Sequence, residues 1–292
     1  MKKLLIFCIV IILLISCDKE EESKSIVTDT VVLRYAESEE QGTYQANISD
    51  YFANLVKEKS QGKITIKVYH GGELGTEEQV LTQLQFGGIA LGRVNILSVT
   101  ELILSFNSSF YPLINTPFTN IINYIDKSEN FNFAFQNEKL FPLTILPPST
   151  RCIYSDETLQ TVDYSDLRIG IDNSQMYEKF LKQWGASPIM LGSIATFPSL
   201  RNGFIDAREL SVSAFLNSDE YPYIKEVIIL ENVSLPSFII FSNEVLNQLS
   251  KRQVELLVEC ADFTLEYAKK YIYEQEIKAF EKINSEKIMR II

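Results

Sequence analysis

The strongest constraint on this chain is an alternation of strand-like and helix-like segments, set out once after residue 30 and again after residue 167. Val31-Val32-Leu33-Arg34-Tyr35 is apolar and β-favouring, which predicts a strand. After the polar stretch ESEEQGT, residues Tyr44, Ile48, Phe52, Leu55 and Val56 recur at helical spacing, and the pattern stops at Gly62, read as the C′ glycine. Ile64-Thr65-Ile66-Lys67-Val68 alternates as a half-buried strand does. Gly71 to Gly75 is a turn, and Val80, Leu81 and Leu84 mark a short helix that closes at Gly87. Ile89 to Leu97 reads as a third strand. Strand, helix, strand, helix, strand predicts a parallel sheet covered by helices.

The second half repeats the pattern. Arg168-Ile169-Gly170-Ile171 predicts a strand, Ser174 to Trp184 a helix ended by Gly185, and Ser187 to Leu191 a strand. A helix over Phe197 to Asn202 stops at Gly203, and Phe204-Ile205-Asp206 enters another strand. Val227 to Leu230 and Pro236 to Phe241 read as strands, and everything from Asn243 onwards reads as helix. The apolar stripe from Leu246 to Ile272 fits a helix bridging two bodies and equally fits one packed on a single surface.

The N-terminus bears on destination. Lys2 and Lys3 precede the apolar run Leu4 to Ser16, which is too short for a span of about 20 residues and reads as a secretory signal over residues 1–16. Leu14-Ile15-Ser16-Cys17 resembles the bacterial lipobox, which implies lipidation of Cys17 and anchoring by acyl chains. Residues 17–30 carry that cysteine and a polar, aperiodic tether. Removing Lys2 and Lys3 moves the formal charge from −11 to −13, which excludes an electrostatic footprint for nucleic acid and leaves lipid as the only membrane attachment. Cys8 leaves with the signal. Cys152 and Cys260 remain, as a disulfide or as two separately buried thiols.

Catalytic equipment is sparse. His70 is the only histidine and sits in a Gly-rich turn, so the usual zinc spacings cannot be built, and a Ser-His-Asp or Cys-His arrangement would have to run through this one exposed position. There is no Walker loop and no G-x-G-x-x-G after a strand, so no cofactor is expected. Glu37, Glu39 and Glu40 read as a solvated acidic loop. The sequence therefore favours binding over catalysis. An exported hydrolase working through Glu37, Glu39 and Glu209 is the enzyme alternative.

Six motifs, in order, resemble the solute receptors of TRAP transporters, the DctP-like family. They are Lys57 to Tyr69 followed by Gly72-Glu73-Leu74-Gly75; Leu84-Gln85-Phe86-Gly87; Ser165-Asp166-Leu167-Arg168-Ile169; Gly185-Ala186-Ser187-Pro188; Ser199 to Asp206; and Phe241-Ser242-Asn243. The likeness runs from Leu33 to about Phe280. It implies a periplasmic-binding-protein-like α/β fold, with two lobes joined by crossover strands and a long hinge helix and closing on a small solute. Lobe I would comprise residues 31–148 and 236–262, lobe II and the hinge helix residues 149–235 and 263–292. The implied partners are a small-molecule solute, the membrane subunits of a gradient-driven TRAP transporter and, in some branches, a tetratricopeptide-type protein. The implied location is the bacterial cell envelope, facing the periplasm or the exterior.

In most of that family an arginine grips the ligand's carboxylate bidentately. Here the expected clamp position holds Gly170, the expected asparagine position holds Leu210, and the intervening motif reads Asp206-Ala207-Arg208-Glu209. Arg151 keeps the family's other arginine position, and Asn95 is uncharged. Two readings follow: a less polar ligand, or a carboxylate held by a relocated Arg208 or Arg93. Each of Arg93, Arg151 and Arg208 also fits an ordinary salt bridge. The candidate ligand-binding residues are Glu37, Ser38, Tyr44, Asn95, Arg151, Gly170, Asp172, Arg208, Leu210 and Ser237. Family members usually continue beyond the point matching Ile292, which suggests a trimmed second lobe or a covering partner. A structural or interaction lipoprotein that keeps the fold without transport is the competing function.

Overall fold

The computed structural model describes residues 30–103, 118–127, 134–159, 164–171, 175–191, 193–231 and 233–291. The signal, Cys17, most of the tether and Asp172 lie outside them. Two sheets organise the chain. The first contains β1 (Val31–Ala36), β2 (Ile64–Tyr69), β3 (Leu91–Asn95), β4 (Leu140–Leu146) and β10 (Ser237–Ser242), in the order β2-β1-β3-β10-β4. The second contains β5 (Arg151–Ser155), β6 (Arg168–Ile171), β7 (Ser187–Met190), β8 (Ala207–Ser211), β9 (Glu226–Leu230) and β11 (Ile288–Ile291), in the order β11-β9-β5-β8-β6-β7.

Local sequence explains the helices between these strands. In α1 (Tyr44–Lys59), Ile48, Phe52 and Val56 fall four residues apart and are all fully buried, so one stripe lies on the first sheet. Thr43 caps its N-terminus by accepting from the Ala46 amide at 3.3 Å. Its C-terminus is a Schellman turn, with the Gly62 amide donating to Lys57 and the Gln61 amide to Glu58. Gln61 (φ 54°), not Gly62, holds the C′ position expected of the glycine. The same turn ends α2 (Glu77–Gln85), where Gly87 does take C′, at φ +72°.

The third strand ends earlier than the sequence suggests. The Asn95 side chain accepts from the Leu97 amide at 2.9 Å, a cap that turns the chain into α3 (Ile96–Leu102). Beyond it come α4 (Phe118–Lys127), α5 (Gln175–Gln183), α6 (Ser193–Arg201) and α7 (Val212–Leu216). Neither sheet is wholly parallel. β10 runs antiparallel to both β3 and β4, and β5 antiparallel to both β8 and β9. β9 and β10 are buried at every residue, as central strands covered on both faces must be.

The chain crosses between sheets after β4, after β9 and along the last helix. After the short α8 (Asn243–Leu246), Ser250 and Gln253 form a capping box that starts α9 (Lys251–Glu286). Leu257, Cys260, Ala261, Ala268 and Ile272 of α9 pack into the core of the first lobe, while Ala279 and Ile283 pack into that of the second. The helix therefore bridges the lobes. It does not run to the end: β11 follows and pairs in parallel with β9, a strand the sequence reading missed. Cys152 and Cys260 are both free and buried, one in each lobe's core, so the two-thiol reading holds and the disulfide does not.

Candidate functional site

A cleft of about 540 Å³ separates the lobes, within the usual range of about 300–1,000 Å³ for small-molecule sites. It opens where β1, β3 and β8 end, the edge at which α/β sheets place ligands. Lobe I contributes Ser38, Glu39 and Glu40 from the loop after β1, Glu77 and Glu78 from the start of α2, Arg93 and Asn95 from β3, and Leu97 from α3. Lobe II contributes Arg151 from β5, Tyr177 from α5, Arg208, Glu209 and Leu210 from β8, and Asn217 beyond α7, with Leu235 from the connecting segment.

Each arginine of the wall is matched to a carboxylate. Arg93 Nε lies 2.9 and 2.8 Å from the two Glu37 oxygens, and Nη2 lies 2.5 Å from Oε1. Ser49 Oγ and the Glu39 amide donate to the same carboxylate at 2.5 and 2.9 Å. Arg151 grips Glu209 bidentately at 2.5 and 2.7 Å, and the Tyr177 hydroxyl donates to Glu209 at 2.9 Å. Arg208 bonds directly to Glu220, which also accepts from Tyr154 at 2.6 Å. Burial pushes the Tyr177 and Tyr154 hydroxyls well above the ordinary phenol range, so both remain donors.

The remaining carboxylates differ. Glu77 is engaged, accepting from the Asn95 amide at 2.9 Å, Ser98 Oγ at 2.7 Å and Ser38 Oγ at 3.1 Å. Glu39, Glu40 and Glu78 have no bidentate partner among the described residues. Glu39 is a quarter exposed, and its nearest cation is Arg93 at 4.0 Å, already held by Glu37. Burial raises the Glu39 carboxyl above its ordinary pKa, with Arg93 opposing and Glu37 reinforcing that shift.

Direct bonds join the lobes beside the cleft. Tyr44 N, the first amide of α1, donates to Ser213 Oγ at 2.6 Å, and Asn217 Nδ2 donates to the Gln41 carbonyl at 3.3 Å. At the crossover after β4, Glu276 of α9 accepts from the Thr150 amide at 2.5 Å and the Thr150 hydroxyl at 3.0 Å.

Of the residues nominated from sequence, Ser38, Asn95, Arg151, Arg208 and Leu210 line the cleft. Glu37 stands behind Arg93, almost wholly buried, so the acidic loop is not simply solvated. Tyr44 faces away: its ring meets Tyr271 edge-on at 6.1 Å and its hydroxyl reaches the Gln275 carbonyl. Ser237 is buried in β10 opposite Asn95. A Cβ at Gly170 would lie 2.7 Å from Ile205 Cδ1 and 3.0 Å from Thr196 Cγ2, so apolar side chains fill the space where a side chain would start. Asp172 falls outside the described residues. Sequence reasoning did not nominate Glu77, Glu78 or Tyr177, and named Glu39 only in the acidic loop and the hydrolase alternative. The acidic pair opening α2 was the available signal for two of them, since carboxylates favour a helix N-terminus. His70 pairs with Asp50 at 3.1 Å and is not among the cleft-lining residues. Among the described residues no group of three or more His, Cys, Asp or Glu side chains could hold a metal ion.

Residues 35–292 match the model of the bacterial extracellular solute-binding proteins, family 7, known as DctP. The chain belongs to this family. That makes it a member of a family of bacterial extracellular solute-binding receptors, which is not an enzyme class. Among curated proteins, a solute-binding protein of Chromohalobacter salexigens is 24% identical over 217 residues, covering 72% of this chain and 64% of that protein, just under two thirds of its length. The ectoine-binding periplasmic protein TeaA of Halomonas elongata is 22% identical over 260 residues, covering 86% and 75%. Among solved structures, the sugar-acid-binding protein DctPAm of Advenella mimigardefordensis with galactonate has a TM-score of 0.77 at 18% identity, covering 89% of this chain and 86% of that one. A TRAP periplasmic solute-binding protein of Pseudomonas putida with D-glucuronate has a TM-score of 0.77 at 20% identity, covering 90% and 88%. These structures establish the two-lobed α/β periplasmic-binding-protein fold for the family 7 receptor described here.

Proposed function

We propose that this family 7 receptor is a lipid-anchored lipoprotein, tethered through Cys17 on the outer side of a bacterial membrane, that captures a small solute between its lobes and delivers it to the membrane subunits of a TRAP-type transporter. The observation carrying the reading is the interlobe cleft itself: about 540 Å³, walled by both lobes, whose cores α9 bridges. A receptor fold retired to a structural role would have no use for such a cavity, so the open volume favours capture over the purely structural alternative.

The solute is atypical for the family. Arg93, Arg151 and Arg208 each face an internal carboxylate, and the position two residues after Arg168 is a glycine hemmed in by Ile205 and Thr196. Each of the three guanidinium charges is already offset by an internal carboxylate, Arg208 through Nη1 alone. The relocated-arginine reading is therefore disfavoured, and the five cleft-lining nominations form the working site.

Thermal unfolding across a broad metabolite library tests the proposal. A ligand at 100 times its dissociation constant should add about 2.7 kcal/mol, and co-purification with TRAP membrane subunits should follow. A library without any stabilising compound, together with loss of Cys17 leaving membrane attachment unchanged, would count against it.

A further inference from the structure

The charge pattern of the cleft goes beyond the exclusion of acids. This step rests on the receptor reading above. Its three guanidiniums are matched one to one by Glu37, Glu209 and Glu220, with three charge-assisted bonds at Arg93 and two at Arg151. Among the described residues, subtracting those pairs leaves Glu39, Glu40, Glu77 and Glu78 on the wall with no ion pair inside 4.0 Å except the long Glu39–Arg93 approach, Glu77 being held by neutral donors alone. The surplus is entirely negative. It borders a site partly shielded from water, where an unmatched charge is least tolerated.

Glu39 is the focus of the surplus. Its backbone amide donates to Glu37, which fixes the main chain from which the side chain departs. Its carboxylate is mostly withdrawn from solvent and reaches Arg93 only at 4.0 Å, because Nε and Nη2 of that guanidinium bond Glu37. A raised Glu39 carboxyl pKa reports the same desolvation. The Asn95 side-chain oxygen and the Glu77 carboxylate are likewise committed to internal donors. Between the polar walls, Leu97, Leu210 and Leu235 supply an apolar surface.

We propose that the solute of this cleft is an organic cation, a protonated amine or guanidinium on a hydrocarbon body, with Glu39 as its counter-charge and the leucines as its floor. A cation in this position supplies the missing partner to a desolvated carboxylate. A carboxylate would instead add a further unmatched anion.

The test uses the full chain, purified in detergent, and three probes of one shape: cyclohexylmethylamine, cyclohexanecarboxamide and cyclohexanecarboxylate. Agmatine adds a guanidinium, and galactonate and D-glucuronate add sugar acids. Calorimetric titration should show the amine or agmatine binding with one-to-one stoichiometry and at least tenfold more tightly than any acid. Glu39→Gln should weaken the cation at least tenfold while leaving the melting temperature of the free protein within a degree or two. If an acid binds as tightly as the cations, the receptor reading stands and the cation assignment falls. Equal binding of amine and amide, unaffected by Glu39→Gln, also overturns it. Binding by none of the probes overturns it too, and the library screen then judges the receptor reading separately.

Discussion

Arg93 and Glu37 form a bidentate pair with neither side chain open to solvent: their exposures are 3% and 0%. The residues are 56 positions apart, on β3 and just after β1. The pair stands in the lobe I wall of the cleft and joins two neighbouring strands of the first sheet at their carboxyl ends.

Removing one partner of this pair should be costly. Glu37→Ala strands a buried guanidinium and should lower stability by about 3–5 kcal/mol, whereas Glu37→Leu combined with Arg93→Met should recover most of the loss. Urea unfolding of the parent and the two variants measures this. A single-variant loss below about 1 kcal/mol would show that water reaches the pair.

Restoring the family's arginine should not restore acid binding. In Gly170→Arg the new Cβ meets Ile205 and Thr196 at 2.7 and 3.0 Å. Overpacking of this kind costs typically about 1–3 kcal/mol. Calorimetry should therefore detect a destabilised protein that still ignores galactonate. Tight galactonate binding by this variant would mean the helix α6 gives way easily.

The contacts beside the cleft hold the lobes together. Ser213→Ala removes the acceptor for the Tyr44 amide, and Glu276→Ala removes two bonds at the Thr150 crossover. Each loss should amount to about 1–3 kcal/mol where the stranded group stays buried. Small-angle scattering should show a larger radius of gyration for the double variant. An unchanged radius would assign closure to apolar packing between the lobes.

Acid should find one identifiable weak point. Asp206 accepts from Arg168 N, Nε and Nη2, and these bonds from Arg168 hold its carboxyl below the usual carboxylate range. A lowered folded-state pKa contributes stability that is fully present above the unfolded value of roughly 3.9 and is lost as pH falls through the folded value. The side chain is 32% exposed, so the effect is about 0.5–1 kcal/mol after solvent screening. Asp206→Asn should thus be less stable than the parent at pH 7 and equal to it near pH 2. A difference that persists at pH 2 would point to packing instead.

Much of this architecture was legible from local chemistry. Gly87 and Gly185 both sit in Schellman turns just past their helices, as the positions of the glycines suggested. The stripe through Leu257, Ala268 and Ile272 marked the long helix, although periodicity alone did not say which bodies it joins. The failures have physical causes. Ile96 and Leu97 read as strand until the Asn95 side chain is seen capping α3. The final strand consists of Ile288-Met289-Arg290-Ile291 and gains its partner from β9, about 60 residues earlier, which no local window contains. The site suffered most, because its chemistry lies in pairings between separate strands and loops within each lobe: Glu37 with Arg93, Glu209 with Arg151, Glu220 with Arg208. Sequence supplied the charges, and only the fold shows that they cancel and which carboxylates are left over.

The central claim is that one solute is enclosed between the lobes, and Leu210→Trp tests it directly by filling the cleft from β8. Thermal unfolding of the parent and this variant should be compared across the same metabolite library. The account predicts at least one compound that raises the parent's melting temperature and leaves the variant's unchanged. Equal shifts in both proteins, or no shift in a well-folded parent, would contradict it.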